Sequence, residues 1–411
     1  MERDRPCGDR GHGPRSRPFT DDGRSGGAAS STRIVVIDAL RGLCLVLMTI
    51  DHFPHHPLGT FTNQNFGPFG FFTAALGFVF LSGVVAGMVY EKERLSAGTG
   101  AMVGRALRRV RALYITQTLV LLALFLAIEV HVHGVERWDL KLFVTAPWEA
   151  AALGGALLYE PGYFGILPMY CFLLALTPFV LDQFSRGRLA AVLGASGLLW
   201  VVSGLVIRLP ANPGGVDFGA FNPIGYQFLF VLGLAFGTRR LDVDRLGPVA
   251  RKIVIATSAA VALLFFCLRL EYAVGGPLDA LVNAASSGFS AVQLGPLRLL
   301  DFAAVGVVLY WFSQRTHWAD SGSFGTSWLA FVGRHSLPVF AWSILLTYVA
   351  VAEIPPQAGV DVRAGAVLLA VGSLTIPAQI HTTLAPLYRH GGAMRAWRLR
   401  RPVRVGAPVD E

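Results

Sequence analysis

Ten stretches of mostly apolar side chains, separated by polar or glycine- and proline-bearing segments, run along the chain at approximately 34–50, 69–90, 113–130, 164–181, 189–207, 224–236, 253–268, 297–312, 337–352 and 367–380. A helix rising ~1.5 Å per residue needs about 20 residues to cross ~30 Å of hydrocarbon, so most of these stretches have the length of a membrane span. The pattern predicts an all-α protein, a polytopic membrane helical bundle of about ten transmembrane helices, with the sixth the shortest. Two weaker apolar runs, 148–159 and 284–294, predict interfacial or re-entrant helices.

Composition agrees with this setting: 53% of the 411 residues are hydrophobic, 15% are charged and the mean hydropathy is +0.53. Lysine and arginine alternate along the chain as a membrane topology requires. Of the 35, 28 fall before the first span, after the last, or in every second connection, five fall in the intervening connections, and Arg41 and Arg298 lie within spans. Basic residues accumulate on the cytoplasmic side, so both termini are expected there, in a cell membrane. The formal charge of +9 then reflects inside loops rather than a nucleic-acid surface. Residues 1–32 and 389–411 are rich in arginine and glycine and poor in apolar periodicity. They are expected to be cytoplasmic tails, the first disordered, flanking a membrane domain over 33–388. No cleavable signal is expected, because more than thirty polar residues precede the first apolar run. The cysteines, Cys7, Cys44, Cys171 and Cys267, suggest neither a disulfide nor a metal site.

The first span carries the candidate chemistry. Within RIVVIDALRGLCLVLMTIDH stand Asp38, Arg41, Asp51 and His52, and ionisable groups at membrane depth mark function or a buried pair. Eleven residues of helix turn about 1100°, so Arg41 and His52 share a face, about 16 Å apart. Asp38 precedes Arg41 by one turn and is expected to pair with it. His52 is the side chain able to exchange protons near neutrality. A second feature is the basic run Arg105, Arg108, Arg109 and Arg111 before the third span. Guanidinium groups there suit a phosphorylated ligand; anchoring to anionic lipid is the other reading.

Arg41 and His52 form an R-x10-H pattern, and Arg105-x-x-Arg108 an RxxR, both similar to motifs of the acyltransferase-3 superfamily. The chain more closely resembles the OpgC-type integral membrane succinyltransferases of osmoregulated periplasmic glucans. That resemblance rests on IDALRGLCLVLMTIDH, NFGPFGFF and FVFLSGVVAG, ILPMYCFLLALTP, FNPIGYQFLFVLGLAFG, PLRLLDFAA and GRHSLPVFAW. It implies transfer of an acyl group, succinyl or acetyl, from a cytoplasmic acyl-coenzyme A to a hydroxyl of an extracytoplasmic glycan, with no permanently bound cofactor. The donor would dock on Arg105, Arg108, Arg109 and Arg111 and extend past Arg41 to His52, the general base, with Asp51 or Asp38 orienting or charge-balancing the imidazole. An acyl-His intermediate is a variant of the same chemistry.

Ser82 and Asn65 are candidate oxyanion donors, although Gly83-x-x-x-Gly87 beside Ser82 also suits close helix packing. Arg334 and His335 are candidates for contact with the donor. His55 and His56 stand close enough to His52 to share its role, and Trp138, Trp148 and Tyr163 suit stacking on sugars. His131 and His133, with acidic neighbours, read as a solvated loop before a metal site. Arg298 and Asp301 read as a structural pair. Two positions depart from the family pattern, which has a Glu before FVFLSG and an Asp before ILP; here stand Leu76 or Gly77, and Gly165, with Glu160 as a nearby substitute. A transporter or flippase using the buried Asp/Arg/His stripe is the competing class, disfavoured by the lack of repeat symmetry.

Overall fold

The computed structural model describes residues 23–53, 70–130, 138, 140–159, 162, 164–206, 221–241, 246–284, 288, 294–316, 323–355 and 357–384, and among these it is a helical bundle without strands. The helices are α1 (Gly23–His52), α2 (Ala74–Glu129), α3 (Lys141–Thr145), α4 (Pro147–Gly155), α5 (Ile166–Ser185), α6 (Leu189–Val206), α7 (Pro223–Gly237), α8 (Pro248–Val274), α9 (Asp279–Ala284), α10 (Pro296–Thr316), α11 (Phe324–Arg334), α12 (Ser336–Glu353) and α13 (Val360–Ser373). Helix occupies each of the ten predicted stretches. Six helices among the described residues are long and apolar enough to cross a membrane: α2, α5, α8, α10, α12 and Val360–Leu384, which continues α13. α6 and α7 are apolar but shorter. α1 reaches back to Gly23, into the stretch expected to be disordered.

α2 contains two of the predicted stretches, and its course is set by Gly98. There φ is 85° and ψ 172°, a backbone that side chains with a Cβ rarely adopt. Twelve residues of straight helix would part Glu93 from Arg105 by about 18 Å. Instead Arg105 Nη1 donates to Glu93 Oε2, so the chain folds back at Gly98 and the two arms of α2 face one another. At the same end Arg94 Nε donates to Glu91 at 2.7 Å, and Arg240, from beyond α7, lies 3.6 Å from the same carboxylate.

The most extensive packing joins α2 with α7, α1 with α11, and α2 with α5. The first two contacts are built on glycine. Gly83 and Gly87 on α2 interlock with Gly233 and Gly237 on α7 so closely that a Cβ on any of the four would meet carbonyl oxygens of the facing backbone. This is the small-residue packing expected at Gly83-x-x-x-Gly87. On α1, Gly42 lies against the Leu329 carbonyl, and on α11 Gly333 lies against the Asp38 carbonyl.

Arg298 and Asp301, read from sequence as a structural pair, stand where two segments meet. Both are buried, and Asp301 Oδ2 accepts the backbone N–H of Phe71 at 2.7 Å. Phe71 also packs edge-on against Phe265 of α8, so α8 and α10 join the bundle at the segment leading into α2.

Candidate functional site

Between the two arms of α2, α5, α1 and the α11–α12 corner lies a cavity of about 470 Å³. Five arginines line it: Arg41, Arg105, Arg108, Arg109 and Arg334, with no carboxylate among the described lining residues. Each reaches it for a local reason. Arg105, Arg108 and Arg109 share one face of the second arm of α2. Arg41 lies on the face of α1 turned to the bundle, and it is 9% exposed. Arg334 ends α11 and Ser336 begins α12, so the corner between them presents both side chains to the cavity.

The cavity is elongated. Arg105 sits beside Glu93, whereas Arg41 lies over the ring of Phe78, its guanidinium 5.5 Å from the centroid. Fifteen residues of helix separate Phe78 from Glu93, a rise of about 22 Å. Arg105, Arg108 and Arg109 therefore gather towards the Gly98 end, and Arg41 stands further along the helix axis, with Arg334 beside Asp38 one turn from it. The wall between them is largely apolar, with Val85, Ala86, Ile166, Leu167 and Phe340.

Arg41 Nη2 donates to the buried Ser336 Oγ at 2.6 Å, across 295 residues of sequence. Asp38 does not pair with Arg41 as the sequence spacing led us to expect. Its Oδ2 lies 3.5 Å from Arg334 Nε. The glycine crossing is the physical reason, because Gly333 resting on the Asp38 backbone brings the next residue, Arg334, to the carboxylate. Arg41 is thus left to face the cavity.

The other sequence candidates divide. Arg111 does not line the cavity; it is exposed, about 200° round the helix from Arg109. Asp51, which is buried, and His52 close the far end of α1 and do not line the cavity either. Of the two oxyanion candidates, Ser82 lines the cavity. Asn65, His55, His56, His131, His133, Glu160 and Tyr163 lie outside the described residues. His335 turns away from the cavity: its Nδ1 is 2.9 Å from the Phe331 carbonyl oxygen and its ring stands 5.4 Å from that of His381.

Trp138 is a structural residue, buried and donating to the Tyr348 carbonyl at 2.8 Å, while Trp148 is 80% exposed. At the departures from the family pattern, Leu76 is fully buried, and a Cβ at Gly77 would stand 3.0 Å from Cys44 Sγ. Sequence reasoning missed Ser336 and Tyr170, both of which line the cavity. Both lie within blocks that carry the resemblance, ILPMYCFLLALTP and GRHSLPVFAW, but no spacing gave either a role; that emerges from the helix crossings.

A family model described as OpgC protein matches residues 33–384. No curated protein and no solved structure matches the chain.

Proposed function

Because the chain belongs to the OpgC protein family, which marks it as a membrane transferase of the glucan-modifying acyltransferase class, we propose that it carries an acyl group from a cytoplasmic acyl-coenzyme A to a glycan hydroxyl on the opposite side of the membrane. The observation that carries this reading is the cavity lined by Arg41, Arg105, Arg108, Arg109 and Arg334 without a carboxylate among its described lining. Gathered guanidinium groups repel one another and create a field that an anion relieves, and their planar forks match phosphate oxygens bidentately. Coenzyme A supplies several phosphate oxygens at one end and a long uncharged arm at the other. The cavity repeats that division, with arginines concentrated near Gly98 and an apolar wall beyond.

The charge pattern supports this sense of the reaction. The Gly98 end belongs to the basic, cytoplasmic side of the predicted topology. His52 stands about 16 Å beyond Arg41 along α1 and closes that helix at the other side. In this reading His52 takes the proton from the attacking glycan hydroxyl as it meets the thioester carbonyl, and the acyl group alone changes sides. Asp51, its neighbour in sequence, supplies local negative charge. A succinyl donor would need a basic group near its distal carboxylate, and an acetyl donor would not.

The test uses purified protein with radiolabelled succinyl- and acetyl-coenzyme A, measuring release of free coenzyme A with and without a cell-envelope glycan extract. Glycan-stimulated release that is lost in His52→Ala is the expected result. Arg105→Ala combined with Arg108→Ala is expected to abolish donor binding. Absence of coenzyme A binding by the unsubstituted protein would overturn the reading and favour a transporter.

A further inference from the structure

Phe78 carries two polar neighbours on its ring. The Arg41 guanidinium lies 5.5 Å from its centroid, and the Tyr170 ring packs edge-on at 5.8 Å. Both line the cavity and both are almost wholly enclosed, Arg41 at 9% and Tyr170 at 5% exposure. Arg41 Nη2 is engaged by Ser336, but its Nε meets no hydrogen-bond partner. Tyr170 Oη stands near the Ser82 hydroxyl on the same cavity wall but makes no hydrogen bond of ordinary geometry. A buried donor without an acceptor is costly, and two beside one aromatic ring, both opening on a cavity, call for a common acceptor.

Arginine can only donate, and the phenol donates readily, so the missing partner is an oxygen acceptor. The surrounding wall is apolar, with Ile166, Leu167 and Phe340, which suits a neutral carbonyl rather than a phosphate. We propose that Tyr170 Oη and Arg41 Nε together hold a carbonyl oxygen on the arm of the acyl donor. Tyr170 is then a donor-binding residue that neither motif contains. This inference rests on the donor reading above. It adds a second anchoring point beyond the phosphate contacts, fixing how far the arm advances towards His52.

Tyr170→Phe removes one oxygen and keeps the ring on Phe78. Equilibrium binding is measured with coenzyme A and with adenosine 3′,5′-bisphosphate, which has phosphates but no arm. Coenzyme A is expected to bind about five- to tenfold more weakly to the variant, the loss of roughly one hydrogen bond. The bisphosphate should bind unchanged. The thermal midpoint of the ligand-free variant should stay nearly level, because the hydroxyl removed makes no hydrogen bond of ordinary geometry within the protein. Unchanged affinity for coenzyme A, or equal weakening of both probes, overturns the proposal. Failure of the unsubstituted protein to bind either probe overturns the donor reading itself.

Discussion

At the α2–α7 crossing and at the α1–α11 crossing, glycines let two backbones touch, yet only the second sets an arginine of the cavity lining in place. Gly83, Gly87, Gly233 and Gly237 bring together apolar helices whose neighbours at the contact are Phe80, Val84, Phe230 and Leu234. Gly42 and Gly333 instead set Asp38 against Arg334 and release Arg41 to Ser336 and the cavity. One packing device therefore serves as scaffold in one place and as site assembly in the other. Close approach within a membrane favours both uses, since dispersion contacts and short polar reach replace the hydrophobic driving force between helices.

The sharpest way to break this comparison is to fill both crossings. Gly83→Val and Gly333→Val each force backbone to move, so each should cost more than the roughly 1–3 kcal/mol of ordinary overpacking. Folded yield in detergent and thermal midpoint should fall sharply in both. The surviving folded fraction separates them: Gly83→Val should keep its coenzyme A affinity and Gly333→Val should not. Equal affinity in the two would mean that the α1–α11 crossing is scaffold as well.

Arg41→Ala comes next, with turnover expected to fall on the order of 100-fold, the scale of about two charge-assisted hydrogen bonds. Its thermal midpoint should change far less than that of either glycine variant. Arg334→Ala should weaken coenzyme A about tenfold. Asp38→Asn should leave binding level or strengthen it slightly, because Arg334 loses its competing partner; the Arg334 side chain is 59% exposed, which keeps that ion pair worth under about 1 kcal/mol. Arg111→Ala should change neither binding nor stability by more than about 0.5 kcal/mol, since its side chain leaves the opposite face of α2.

How far the sequence spoke for itself follows from the range of the interactions involved. The apolar runs announced the helices, because helix periodicity and membrane length are local properties, and the basic run at Arg105 announced one wall of the cavity. The helix α11 passed unread: at 11 residues, with glycines near both ends, Phe324–Arg334 is too short to register as a span. With it went the Asp38–Arg334 contact, so Asp38 was assigned to the nearest arginine along its own helix. Arg111 was grouped with its neighbours by proximity in sequence, although two residues of helix turn it away. Tyr170 and Ser336 belong to ordinary-looking apolar helices, and only the crossings give them a cavity to face.

The fold-back at Gly98 also bears on the order in which the molecule is assembled. Both arms of α2 come from one continuous stretch, so three of the five arginines meet the opposite wall through contacts only a dozen or so residues apart. Such local contacts close at little entropic cost and form early. Ser336 reaches Arg41 only after 295 further residues have been made. During synthesis the chain therefore holds an open, arginine-rich groove long before the corner of α11 and α12 arrives to close it. On the proposed donor reading, affinity would be acquired late, as a property of the finished chain.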